Sequence, residues 1–514
     1  MDVLAASVVD LAEAIRTRRV SPVELVDAHI ARILVVNPVL NALVADRFDA
    51  ARAEARAAQE RLGRRSRDLP PLFGVPCTVK EFYGVEGMPH SAGIVSRKNR
   101  RADADAEAVR RLRRAGAIVL GLTNVPEAGM WMETYNHVYG RTNNPWDVRR
   151  TSGGSSGGEA ALVSAGGSPF GLATDMGGSI RIPASFCGVV GHKPTGRLIP
   201  NTGCWPEGMG QMGAYMSPGP ITRRVGDVMP LLRCLAGPDG ADPVVRPWAL
   251  GDPDAVRIED VTVYPVLGQG GIYTWPSVRG ALEDATRVLR DAGARIETRP
   301  LPRIRRAFAI WGAMLASTPG ASYRQVLTEG APLDLTRELL KLPLRRSQFT
   351  SVALVMSLVE SLFARFPGPV QSLAEAGRAL QAELEAELGP NGVLLHPPYS
   401  RPAPRHRAAM LTPLDFTFAG IFNVMEFPVT QVPFGFDRKG LPLGIQVVGC
   451  RGADHVTLAI AQVLEAAKGG WKRSEPVARP GTGRLWERAR GWLPTAETAQ
   501  AGDLRGLSHA ARLG

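Results

Sequence analysis

Glycine density restricts this chain more than any other feature. Between 153 and 213, 16 of 61 residues are glycine, against 56 in all 514. Glycine loses more conformational freedom on ordering than any other residue, so such density needs a physical reason. Tight turns are one reason, and close approach of backbone to a ligand is another. The length allows a large core, arranged as one big domain or several average ones. With 45% hydrophobic and 21% charged residues, the chain is not mainly disordered.

Around the glycine-rich stretch the pattern alternates between helix and strand. Ser21-Pro22-Val23-Glu24 is a capping box with proline at the first helical position, which predicts a helix starting there and stopping at Asn37-Pro38. A second amphipathic helix is expected over 46–62, and another over 104–115. Gly74 to Lys80 reads as a turn feeding a short buried strand, and Ala117 to Gly121 as a second strand. This alternation predicts an α/β layered fold. From 474 onward Pro, Gly, Ala and Arg dominate, so the expected division is a main domain over 1–473 and a C-terminal extension over 474–514.

The formal charge of +12 points at first to a polyanion partner, but it comes from 54 Arg and only 7 Lys. Codon drift in a GC-rich genome accounts for that bias, and nucleic acid is not an expected partner. The basic run from Arg97 to Arg114 is interleaved with Asp103, Asp105 and Glu107, which reads as a solvated helix face. The five cysteines are widely spaced without a C-x-x-C pair, so neither a disulfide framework nor a zinc site is expected. Asp2, Asp10 and Glu13 interrupt the first apolar residues, so the expected location is the cytoplasm, without stable membrane insertion. Residues 349–366 are apolar on most sides, and read as a helix that covers the active site or packs in a homodimer.

Three segments could carry chemistry. Gly153-Gly154-Ser155-Ser156-Gly157-Gly158-Glu159 contains G-x-S-x-G, but the residues before it are polar and include Pro145, so a nucleophile elbow, which needs a strand there, is excluded. A flexible linker or a loop opening a helix remains. Met176-Gly177-Gly178-Ser179 could converge several N–H groups on one point, as an oxyanion hole requires, or could be a turn. Lys80 beside an apolar strand could pair with Glu81 in solvent, or lose its proton when buried and act as a base.

Taken together these segments, with 75 residues from Lys80 to Ser155 and 24 from Ser155 to Ser179, resemble the amidase signature family. Cys187-Gly188 and Gly191-His192-Lys193-Pro194-Thr195 extend the likeness, which runs from about residue 8 to 471. Gly-Gly-Ser-Ser-Gly-Gly-Glu followed by Gly166-Gly167-Ser168-Pro169 is most similar to fatty-acid-amide-hydrolase-type members. The resemblance implies a large twisted mixed β-sheet with helices on both sides. It also implies hydrolysis of a small-molecule carboxylic amide to acid plus amine or ammonia, without metal or cofactor. Ser179 would be the nucleophile, Ser155 a proton relay with a cis peptide bond, and Lys80 the base. Backbone N–H groups of Met176, Gly177, Gly178 and Ser179 would form the oxyanion hole, Ser156 would support the relay, and Gly129 and Met130 would line the acyl site. The same residues occur in the amidase subunit of tRNA-dependent amidotransferases, and an acyl-enzyme can also serve esterase or acyl-transfer chemistry. Two departures stand out: Glu81 where many members have Asp, and Ser152 where a proline often stands.

Overall fold

The computed structural model describes residues 1–476 except 65–67, 207–209, 267–271, 299–303, 305, 319–321, 345 and 366, and does not describe 477–514. The strands in chain order begin with β1 (Leu43–Asp46), β2 (Pro76–Lys80) and β3 (Ile118–Thr123). A small antiparallel pair follows, β4 (Tyr135–Asn136) and β5 (Gly140–Arg141). Then come β6 (Phe170–Asp175), β7 (Val190–Lys193), β8 (Ser217–Thr222), β9 (Thr262–Pro265) and β10 (Arg295–Ile296). The last are β11 (Gly392–His396), β12 (Val429–Phe436) and β13 (Pro442–Gly449).

All except β4 and β5 join one sheet of 11 strands, in the order β1-β3-β2-β6-β8-β7-β12-β13-β11-β9-β10. It is mixed: β3, β2 and β6 run parallel, whereas β6, β8, β7 and β12 alternate in direction. The expected mixed-sheet α/β fold is the one observed. Successive residues of a strand face opposite sides, and both sides here are covered. Val119 of β3 joins the apolar cluster containing the helix Asp454–Lys468, and Ile118 and Leu120 join the one containing the helix Gly157–Ser164. This explains why every residue of β2, β3, β6 and β13 is buried.

Local signals place most elements. Ser21 Oγ accepts from Glu24 N, and Glu24 reaches back to Ser21 N, completing the capping box. The helix it opens runs Pro22–Leu40, past the expected stop at Pro38. Proline removes one N–H and clashes with the preceding turn, but here it sits in the last turn. The chain continues to Asn41, whose left-handed conformation (φ 49°) and N–H to Asn37 O end the helix. The two other predicted helices are Phe48–Arg64 and Glu107–Arg114. The 349–366 helix is Ser351–Ala364, and Phe366 lies outside the described residues. The compact unit extends over Met1–Pro476, with Ser474 N bonded to Ser164 O. Among the described residues no helix is long and apolar enough to cross a membrane.

Replacing Ser21 with Ala removes the side-chain half of the capping box and should lower the unfolding free energy by about 1 kcal/mol. A denaturation midpoint equal to that of the unaltered protein would contradict this account of the helix start.

Candidate active site

Lys80 ends β2 and is fully buried. Its Nζ donates to Ser155 Oγ at 2.7 Å and to Thr174 Oγ1 at 2.8 Å, and lies 4.4 Å from the centre of the Phe82 ring. No carboxylate forms an ion pair with it among the described residues. Burial disfavours the ammonium. The charges of Asp175 and Glu159 work the other way, yet burial dominates and lowers the Lys80 pKa from 10.5 to about 7. Glu81 is not its solvated partner: it is buried, and accepts from Ser91 N at 2.6 Å and from the Tyr139 hydroxyl at 3.2 Å.

Ser155 follows a cis Gly154–Ser155 peptide bond and lies two residues before the helix Gly157–Ser164, whose N-cap position is Ser156. The glycines around it are explained by close approach. A Cβ on Gly154 would lie 2.4 Å from Trp131 O, and one on Gly158 would lie 2.5 Å from Asn124 N. Both neighbours are backbone and cannot yield, so the Gly/Ser run is a packed turn rather than a linker. Ser156 braces the next loop, its N–H donating to Ser179 O at 3.1 Å and its hydroxyl to Thr174 O at 3.3 Å.

That loop, 174–179, leaves the end of β6. The Asp175 carboxylate organises it, accepting from Gly178 N at 2.7 Å and Ile180 N at 3.0 Å. Arg181 donates to the same carboxylate through Nε at 2.9 Å and Nη2 at 3.0 Å, and Asn423 through Nδ2 at 2.9 Å. Burial opposes the charge, but Arg181 and these donors hold the Asp175 carboxyl well below the usual carboxylate range. Arg181 is itself fully buried, and also donates to Ala419 O and Asn423 Oδ1. Of the four N–H groups expected to form an oxyanion hole, that of Gly178 donates to Asp175. Ser179 is half-buried, whereas Lys80, Ser155 and Ser156 are buried.

Gly129 presses against Phe82, where a Cβ would lie 2.2 Å from Cζ. Met130 packs on an apolar cluster containing Trp311, with Phe416 at its margin. The Trp311 indole donates to Met176 O at 3.2 Å and its ring meets Phe416 edge to face at 4.8 Å. A Cβ added to Gly177 would sit 3.5 Å from Trp311 and 3.6 Å from Phe416. An aromatic wall therefore stands beside the Met176-Gly177 segment. The family resemblance pointed to Lys80, Ser155, Ser156, Ser179, Gly129 and Met130; Phe82, Thr174, Asp175, Arg181, Phe416 and Asn423, which touch them or their neighbours, were not among the expected residues. Thr174, Asp175 and Arg181 adjoin the Gly-Gly-Ser motif and could have been found there; Asn423 and Phe416 come from far along the chain and carry no local signal.

A second buried array contains His192, bonded to Thr430 Oγ1 at 2.9 Å and Asp454 Oδ1 at 3.2 Å. Its members resemble a hydroxyl-His-Asp triad, but all are buried and they tie β7 and β12 to the helix Asp454–Lys468. It is a structural brace. Among the described residues no group of three or more His, Cys, Asp or Glu is arranged to hold a metal ion.

A family model described as Amidase matches residues 24–458. Fatty-acid amide hydrolase 2-A of Danio rerio is 39% identical over 91% of this chain and 90% of its own length. Acylamidase of Rhodococcus erythropolis is 31% identical over 91% of this chain and 97% of its own. A bacterial aryl acylamidase of the amidase signature family shares the fold, with a TM-score of 0.78 at 24% identity over 96% of this chain and all of that one. The chain belongs to the amidase family. It is a hydrolase of amide carbon–nitrogen bonds.

Arg181→Met keeps the volume but leaves the Asp175 charge buried and unpaired, which should destabilise the protein by about 3–5 kcal/mol. Chemical denaturation measures this; a loss below ~1 kcal/mol would show that the pair does not hold the loop.

Proposed function

We propose that this amidase works through a Ser179–Ser155–Lys80 relay and an acyl-enzyme. The observation that carries the reading is the 2.7 Å hydrogen bond between Ser155 and a buried lysine whose pKa falls to about 7. Lys80, neutral, takes a proton from Ser155, which takes one from Ser179 as its Oγ attacks the amide carbonyl. Carbon–oxygen bond formation places negative charge on the carbonyl oxygen, and the N–H groups of Met176, Gly177 and Ser179 stabilise it. One such donor is worth about 2.7–4 kcal/mol of barrier. Collapse of the tetrahedral intermediate breaks the C–N bond, and the proton held by Lys80 returns through Ser155 to the leaving nitrogen. Water then cleaves the acyl-enzyme by the same path in reverse. The aromatic wall of Trp311 and Phe416 beside Gly177, with the similarity to a fatty-acid amide hydrolase and an acylamidase, supports an apolar acyl or aryl amide as substrate.

Ser179→Ala should abolish the acyl-enzyme seen by intact-mass spectrometry, and Lys80→Ala should slow acylation about 10²–10⁴-fold. Because the base must be neutral, kcat/KM should rise with pH through about 7 and level off above it. Full activity of either variant, or activity that falls as pH rises from 6 to 8, would refute the relay. Hydrolysis of aryl and long-chain amides by the purified protein alone separates this reading from a glutamine-dependent amidotransferase subunit, which would turn over glutamine only with its partners and tRNA.

A further inference from the structure

Glu159 is fully buried, and the relay described above does not use it. It sits in the first turn of the helix Gly157–Ser164, four residues after Ser155. Thr78 Oγ1 donates to its Oε2 at 2.6 Å, and Thr123 Oγ1 to its Oε1 at 2.8 Å. These two threonines are the neighbours of Lys80 on the sheet. Thr78 precedes Lys80 by two residues on β2, so both side chains share a face. Thr123 of β3 is the cross-strand partner of Lys80. The third neighbouring strand yields space: Gly171 of β6 lies opposite Thr78, and a Cβ there would come within 1.9 Å of Glu159 Oε2. One carboxyl group thus joins the helix that follows Ser155 to β2, the lysine's own strand, and to its neighbour β3.

We propose that Glu159 is a positioning residue for the relay, clamping the helix that begins beside Ser155 onto Thr78 and Thr123 and thereby fixing the Lys80–Ser155 contact and the charge balance around the amine. The inference rests on the assignment of Lys80 as base. Burial pushes the Glu159 carboxyl up to about 8, with the two threonines and the Lys80 charge working in the opposite direction. Its charge in turn favours the Lys80 ammonium. Other ionisable groups around the pair are Cys77 and Tyr83 on and after β2, both with pKa values raised by burial, Cys204, whose charge would favour the Lys80 ammonium, and Asp175, which is taken up by Arg181. Removing the carboxylate removes the form in which Lys80 stays charged beside an anion, so the lysine becomes neutral at lower pH.

The test is the pH dependence of kcat/KM on an aryl amide for the unaltered protein, Glu159→Gln, Glu159→Ala and Lys80→Ala. Glu159→Gln keeps the shape but cannot ionise, and its acid limb should be displaced to lower pH by about 1 unit. Glu159→Ala releases the clamp and should lower kcat about 100-fold with KM within a few fold, as a misplaced reacting group does. Thr123→Val removes one hydroxyl donor at similar volume; it disfavours the anion and should move the limb the same way, which keeps the test open if a Glu159 variant does not fold. An acid limb in Glu159→Gln and Thr123→Val that superposes on that of the unaltered protein overturns the proposal, provided Lys80→Ala is inactive. Full activity of Lys80→Ala overturns the base assignment itself, and the inference with it.

Discussion

A lysine ammonium buried without a carboxylate partner among the described residues is the constraint on which the site depends. In water the group would be protonated at neutral pH; inside this sheet it is surrounded by Ser155, Thr174 and the face of Phe82. Hydroxyl oxygens can accept hydrogen bonds from an ammonium, but they do not neutralise its charge. Desolvation therefore outweighs the more distant anions, and the neutral amine becomes accessible. Arginine could not fill this position, since its guanidinium does not deprotonate in proteins.

The opposite electrostatic device stands a few residues away. Asp175 remains charged because Arg181, Asn423 and backbone N–H groups surround it, and Arg181 is in turn anchored by Ala419 and Asn423. Lys80 is bonded to hydroxyl groups that do not offset its charge, so burial lowers its pKa, whereas Asp175 stays ionised by having Arg181 and many N–H donors. The Ser179 loop hangs between them, tied to Asp175 through Gly178 and to Ser156 through the Ser179 carbonyl. Loop shape thus comes from side chains as much as from glycine, whose role at Gly154 and Gly158 is to let strands and turns approach.

The local elements of this arrangement are readable in the sequence, while the mixed sheet and the expected roles of Lys80, Ser155 and Ser179 came from the family resemblance. The capping box at Ser21, the buried strand ending in Lys80 and the run around Ser155 each sit within a few residues. The alternation of helix and strand likewise gives the layered fold. What sequence pattern misses depends on contacts across the chain or on competition between donors. Asn423 and Phe416 join the site from more than 230 residues away, without a local signature. The Gly178 N–H looks available in a Gly-Gly-Ser motif, and only the orientation of the Asp175 carboxylate shows that it is engaged. Pro38 reads as a helix stop, yet in a final turn it removes little and Asn41 ends the helix instead.

The central claim is that Lys80 is a neutral amine under working conditions, and its side-chain nitrogen can be observed directly. With 15Nζ-labelled lysine and a Lys80→Met variant to assign the signal, NMR titration should show Lys80 losing its proton near pH 7. Assignment matters because Lys193 is also buried and its pKa is likewise lowered to about 7. An amine signal for Lys80 above that pH is the predicted result. An ammonium signal that persists to pH 9 would contradict the account.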